Sequence, residues 1–205
     1  WEYRKMVGYL ELSLEKQTGN YMIFFPSYEM LSAVYEIARD SNLALVSELV
    51  VQEPFMEEKS REDFLEKFRR KAGKPLIGFC VLGSIFSEGI DLTGESLIGV
   101  VIVGTGLPQI CNEREVIREY FDRRQKKGYD YAYRYPGMNK VLQAAGRVIR
   151  TAQDTGTILL MDERFLEREN QKLFPEEWDS YYGVNRQNYG KVLKDFWEER
   201  RRRES

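Results

Sequence analysis

Residues 135–162 read YPGMNKVLQAAGRVIRTAQDTGTILLMD. The spacing predicts a helix running through Gln143 to Arg150, a turn, and a strand from Thr157 to Met161. Val141, Leu142, Ala145, Val148, Ile149 and Ala152 recur at helical intervals, so one apolar stripe is expected to be buried. Gln143, Gly146, Arg147 and Arg150 fall on a different face of the same helix. Two arginines one turn apart beside a glycine make a bare cationic surface that a ligand or a backbone can approach. Each arginine offers a planar fork that suits phosphate oxygens and keeps its charge.

Outward from this stretch, apolar runs alternate with amphipathic segments. Met6 to Lys16 reads as a helix stopped by Gly19-Asn20. Residues 21–26, 43–51, 76–82, 97–103 and 157–161 read as buried strands. Helices are expected over Tyr28 to Arg39, Ser60 to Lys71 and Glu113 to Lys127. That alternation is what a parallel sheet requires, and it points to a three-layer α/β/α sandwich with a mainly parallel sheet. Ser60-Arg-Glu-Asp63 resembles a capping box. Gly128 to Arg134, GYDYAYR, reads as a packed connector, with base stacking by its tyrosines as the alternative. Trp178, Tyr181, Tyr182 and Tyr189 read as anchors for a C-terminal helical extension over 166–205. Its last helix, Val192 to Arg203, ends in four arginines that read as a solvated end.

Composition narrows the function classes. A length of 205 residues fits one domain or a domain with an appendage. The net charge of -2 excludes a generally basic nucleic-acid binder, so any such contact must be local. No apolar run approaches the ~20 residues of a bilayer span, and no signal-like segment opens the chain. No membrane association is expected. Histidine is absent, which excludes histidine acid–base catalysis and histidine metal sites. Cys80 and Cys111 have no zinc-like spacing, and a reducing cytoplasm is the natural setting.

Two further stretches carry chemistry. Phe24-Phe25-Pro26-Ser27-Tyr28 places a hydroxyl between a strand end and a helix start, where backbone N–H groups point outward and make an anion site. The plainer reading is an N-cap followed by a core tyrosine. Gly83-Ser-Ile-Phe-Ser-Glu-Gly-Ile-Asp91-Leu-Thr-Gly94 follows a strand and is dense in glycine and hydroxyls. Such a loop can approach a phosphate or a nucleic-acid backbone without reading sequence. A carboxylate there can accept from a ribose hydroxyl or hold an arginine.

Gln143-x-x-Gly-Arg147-x-x-Arg150 resembles the last motif of superfamily 2 helicases. The run QAAGRVIRTAQDTGTILLMDERF over 143–165 resembles the DinG/XPD branch in particular. Phe86-Ser-Glu-Gly-Ile-Asp91 is similar to the fifth motif of that branch, Phe24 to Tyr28 to its fourth, and LIGVVIVGTGLP over 97–108 continues the likeness. The resemblance implies a RecA-like second motor domain with its core over about 19–165. It implies that Arg150 acts as the arginine finger on the γ-phosphate of ATP with Arg147 as its partner, in an order that could reverse. Gln143 would fix the arginines or sense the nucleotide, with Gly146, Gly89 and Asp91 also on the nucleotide side. It implies that Ser27, Tyr28, Ser84, Ser87 and Glu88 face single-stranded DNA, with 5′–3′ movement.

No Gly-x-x-x-x-Gly-Lys-Ser/Thr and no Asp-Glu-Ala-His occurs. A phosphate loop and a magnesium carboxylate are needed to hydrolyse ATP. The expectation is therefore a fragment whose partner is the N-terminal helicase domain of the same parent chain. ATP and Mg2+ would be held mostly by that domain, which in some family members also carries an iron–sulfur cluster. The fragment alone is expected to be an inactive monomer. One competing class is a non-catalytic nucleic-acid-binding module with the same fold. Another is a Rossmann-type enzyme, which predicts a glycine fingerprint where Phe-Pro-Ser-Tyr stands.

Overall fold

Tyr21–Phe25 (β1) is buried at every position, as a strand covered on both faces must be. The computed structural model describes residues 2–70, 73–87, 96–149 and 154–204. Glu48–Val51 (β2), Leu76–Val81 (β3), Gly99–Val103 (β4) and Thr157–Met161 (β5) join β1 in a five-stranded sheet of order β2-β3-β1-β4-β5. All four pairings are parallel.

Strand periodicity sorts the core into two clusters. Met22, Phe24, Cys80, Val100 and Ile102 face one side. Packed on them are Phe64 and Phe68 of α4 (Glu58–Arg69) and Met138, Val141, Ala144 and Ala145 of α6 (Tyr135–Ala145). Tyr21, Ile23, Phe25, Ile77, Phe79 and Val101 face the other side. They meet α1 (Glu2–Lys16), α2 (Tyr28–Arg39), α3 (Asn42–Val46) and α8 (Tyr189–Glu204). The expected three layers are present. Between β5 and α8 lie the short α7 (Arg168–Gln171) and two 3₁₀ turns.

The α5 helix (Asn112–Gln125) buries none of its residues and stands off the sheet. It is braced by a π-helical turn over Asp130–Arg134, where Tyr131 stacks on Phe121 at 3.9 Å and the Tyr133 hydroxyl donates to Glu115 at 2.6 Å. The GYDYAYR segment is thus the packed connector. Cys111 is exposed just ahead of α5, whereas Cys80 is buried in β3, where burial pushes its thiol pKa up.

The start of the sheet is organised by one amide. Asn20 Oδ1 accepts from Leu76 N at 3.0 Å, and Nδ2 donates to Ser96 O at 3.0 Å. Its backbone carbonyl accepts from Ile98 N at 2.9 Å. The beginnings of β1, β3 and β4 are thereby tied at one residue.

Several expectations need correction. Leu43 to Val51 is not one strand: it divides into α3 and β2. Ser41 Oγ accepts from Leu43 N at 3.2 Å, Ser47 Oγ donates to Leu43 O at 2.6 Å, and Leu45 and Val46 are exposed. The α4 helix begins at Glu58, so Ser60 is inside it and caps nothing. Tyr182 is exposed rather than an anchor; Tyr181, though half-exposed, meets Phe174 edge-on at 5.7 Å, and Tyr189 is buried with its hydroxyl 2.8 Å from Ser13 Oγ.

The helix expected through Arg150 ends at Ala145, with Gly146 as its C-cap. Arg147 N and Val148 N bond to the carbonyls three residues back, at 3.1 Å each, which tightens the chain out of the α-helix. Val148 is then drawn under the starts of β4 and β5. A Cβ on Gly156 would lie 2.1 Å from Val148 Cγ1 and 2.8 Å from Ile98 O. Ile149 is 44% exposed and leaves the expected apolar stripe.

Asn20→Ala removes one acceptor and one donor from this junction. A stability loss of about 1–3 kcal/mol is expected. Chemical denaturation checks this, and an unchanged midpoint would show that the three strand starts do not depend on Asn20.

Candidate functional site

Parallel strands bring all their carboxyl ends to one edge, and most of the candidate strand-contacting residues lie there. Ser27 follows β1 and caps α2, its Oγ accepting from Met30 N at 3.3 Å. It is exposed. Tyr28 is half-buried, not a core residue, and its hydroxyl accepts from Gln52 Nε2 at 2.8 Å. Ser84 follows β3, half-buried, and its Oγ donates to Gln52 Oε1 at 2.9 Å. Gln52, just past β2, also takes Val81 N on Oε1 at 2.9 Å.

Gln52 is what sequence reasoning missed. It reads as the polar residue that ends an apolar run, yet it is 5% exposed and joins three segments. A glutamine directly after a buried strand is the available signal, since a buried amide needs several partners.

The loop after β3 also corrects an expectation. Ser87 is fully buried, and both its N and its Oγ bond to Ser84 O, at 2.9 and 2.8 Å. Its hydroxyl closes a turn and is not presented to a strand. Its carbonyl instead receives Arg147, from Nε at 3.1 Å and Nη2 at 3.0 Å.

The α6 helix runs antiparallel to the strands. Its first turn touches the exit of β4, where a Cβ on Gly106 would lie 2.6 Å from Gly137 O. Only glycines permit this approach, and Gly106 also has φ +68. Between the two glycines at the β4 exit, Thr105 is buried and its hydroxyl has no partner among the described residues. The far end of α6 lies at the starts of β4 and β5. Gln143 and Gly146 are exposed there, and Arg147 is half-buried. The arginine segment and the hydroxyl cluster therefore sit at opposite edges of the sheet, and the loop after β3 reaches from one toward the other. Arg150, Glu88, Gly89 and Asp91 lie outside the described residues.

Asp162 follows β5. Burial acts to raise its carboxyl pKa, but the Arg164 guanidinium and backbone N–H outweigh that and hold it below the ordinary value. Arg164 N and Nε donate to Oδ1 at 2.9 and 2.8 Å, and Nη2 donates to Oδ2 at 2.6 Å. A groove runs along the outer edge of β5, lined by Met6, Tyr9, Trp178 and Phe196 among others. It touches neither Arg147 nor the Tyr28–Gln52–Ser84 cluster. Among the described residues, no histidine, cysteine and carboxylate group could hold a metal ion, and no helix is long and apolar enough to cross a membrane.

Residues 10–181 match the helicase C-terminal domain family. A protein of Methanocaldococcus jannaschii named as a probable ATP-dependent helicase is 28% identical over 164 residues, 74% of this chain and 24% of that one. Human regulator of telomere elongation helicase 1 is 29% identical over 208 residues, 89% of this chain and 17% of that one. The chain thus spans at most about a quarter of these curated relatives. Among solved structures, an XPD helicase superposes with a TM-score of 0.63 at 23% identity, covering 83% of this chain and 29% of that chain. The C-terminal domain of the DEAD-box protein Dbp5 superposes at 0.53 with 14% identity, covering 94% and 89%. At these identities the superpositions show a shared RecA-like α/β fold.

Two outcomes follow from the geometry. Arg147→Ala should release the turn at Ser87, seen as faster amide hydrogen exchange over 84–87; unchanged exchange there would show that the arginine does not hold the turn. The Asp162 carboxyl has a folded pKa below its ordinary 3.8, so its contribution to stability is complete above that value. It disappears as pH falls through the lowered folded value. The difference in Tm between wild type and Asp162→Asn should shrink in that acid range and stay level above it.

Proposed function

This chain belongs to the helicase C-terminal domain family, and from that premise we propose that it is the second motor domain of an ATP-dependent DNA helicase. The observation that carries the reading is the pair of hydrogen bonds from Arg147 to the Ser87 carbonyl. They join the arginine segment to the loop after β3, two stretches sixty residues apart that the same chemistry requires together.

In this reading ATP lies between this domain and a first RecA-like domain of the parent chain. The first domain supplies the phosphate loop, the magnesium site and the carboxylate that directs water. Arg150 reaches the transferring phosphoryl group and stabilises its developing charge. Arg147 spends Nε and Nη2 on the Ser87 carbonyl, which suits a brace that sets the height of the neighbouring turn. Exposed Gln143 and Gly146 supply a donor–acceptor amide and a surface without a side chain beside the arginines.

At the other edge, Ser27, Tyr28 and the first turn of α2 suit phosphate oxygens of a single strand, held through its backbone and not its bases. Closure on ATP and opening after hydrolysis would shift this edge along the strand relative to the first domain. The described residues offer no carboxylate cluster for Mg2+. Buried Cys80 and exposed Cys111 do not form a ligand set for an iron–sulfur cluster.

The test is single-strand-stimulated ATP hydrolysis by the full-length parent, wild type beside Arg150→Ala. Turnover should fall on the order of a thousandfold with DNA binding largely kept. Normal hydrolysis by the variant would remove the finger assignment. A wild type inactive with both DNA and RNA would favour a non-catalytic nucleic-acid-binding module.

A further inference from the structure

The carboxamide of Gln52 can adopt only one orientation. Val81 N points at it from 2.9 Å, and a backbone N–H can only donate, so the facing atom is the oxygen. The nitrogen therefore faces Tyr28, donating to its hydroxyl at 2.8 Å. The same oxygen takes the Ser84 hydroxyl proton at 2.9 Å.

Two opposite consequences follow for the two hydroxyls. The phenol proton of tyrosine lies near the ring plane, on one side or the other. With the Gln52 N–H on one side of the Tyr28 oxygen, the Tyr28 proton takes the other side. Among the described residues no acceptor is paired with it. Ser84 has spent its proton on Gln52, and its oxygen faces Phe86 N at 3.4 Å. Tyr28 is thus a donor, while Ser84 offers only lone pairs. Phosphate oxygens accept and do not donate, so a nucleic-acid backbone can use the first and not the second.

We propose that Gln52 is a positioning residue that holds Tyr28 as the outward hydrogen-bond donor to a strand phosphate and withdraws Ser84 from that contact. This rests on the reading of this edge as the strand-binding side, and it changes the division of labour there. Ser27, beside Tyr28 and exposed, is placed to contact the same phosphate, because its oxygen accepts from Met30 N and keeps its proton.

The experiment measures binding of a labelled single-stranded oligonucleotide to the full-length parent by fluorescence anisotropy, at fixed salt and without nucleotide. Tyr28→Phe deletes the donor and should weaken binding about tenfold. Ser84→Ala should leave it within about twofold, since the residue offers no donor to phosphate. Gln52→Glu keeps the acceptor for Val81 and Ser84 but turns the Tyr28 proton inward, so it should weaken binding at least as much as Tyr28→Phe.

A buried carboxylate also repels phosphate, and the double variant separates the two effects. If Gln52 acts through Tyr28, Tyr28→Phe with Gln52→Glu binds as Gln52→Glu does alone. If the two losses multiply, or if Ser84→Ala weakens binding as much as Tyr28→Phe, the assignment is overturned. Should the Gln52 variant fail to fold by circular dichroism, the contrast between Tyr28→Phe and Ser84→Ala still decides. A wild type that does not bind the oligonucleotide removes the strand-binding reading itself, an outcome distinct from multiplying losses in a protein that binds.

Discussion

Buried peptide groups must be paired, and a parallel sheet leaves some of them unpaired at both of its ends. Here two carboxamide side chains complete the ladders. Asn20 takes Leu76 N at the starts of the strands, and Gln52 takes Val81 N at their ends. An amide suits this task because it accepts and donates without a charge to desolvate. Each also reaches a second segment with its NH2 group, Ser96 for Asn20 and Tyr28 for Gln52. The segments that enter and leave the sheet are thereby tied to the strand ends, and the Tyr28–Ser84 cluster takes its shape from that attachment.

The turn from Ser84 to Ser87 lies between the two sites. Its Ser84 end is bonded to Gln52, and through it to Tyr28. Its Ser87 end is bonded to Arg147. The two ends of one tight turn are thus each held by hydrogen bonds from a different element. A physical link exists between the arginine segment and the hydroxyl cluster, and double-mutant coupling is what measures its strength.

The sheet is legible in the sequence where apolar runs are short, β-branched or aromatic and bounded by turn residues, as at 21–25, 76–81, 99–103 and 157–161. Ser27 is legible as a cap because the signal is local: a hydroxyl residue ahead of an apolar stripe at Leu31, Val34 and Ala38. The division of 43–51 is not, because Leu45 and Val46 are apolar yet exposed, and two serine hydroxyls outbid the strand propensity. The end of α6 at Ala145 is also not legible. Residues 146–149 keep the helical spacing of apolar side chains, yet the helix ends at Gly146 and Val148 packs against Gly156 at the start of β5. At the candidate site, residue types mark Ser27, Tyr28 and Arg147, whereas the roles of Ser87 and Gln52 depend on contacts across the fold. A serine in a glycine-rich loop reads as a surface group, and only the turn it closes shows otherwise.

The placement of the two cysteines has a practical consequence. Cys80 is fully buried in β3, and its thiol resists ionisation, which withholds the nucleophilic thiolate. Cys111 is exposed at the head of a helix that stands away from the core. Within this chain a maleimide dye would therefore couple at one position without mutagenesis. That dye would sit at the head of α5, at a residue that belongs to neither the arginine segment nor the hydroxyl cluster.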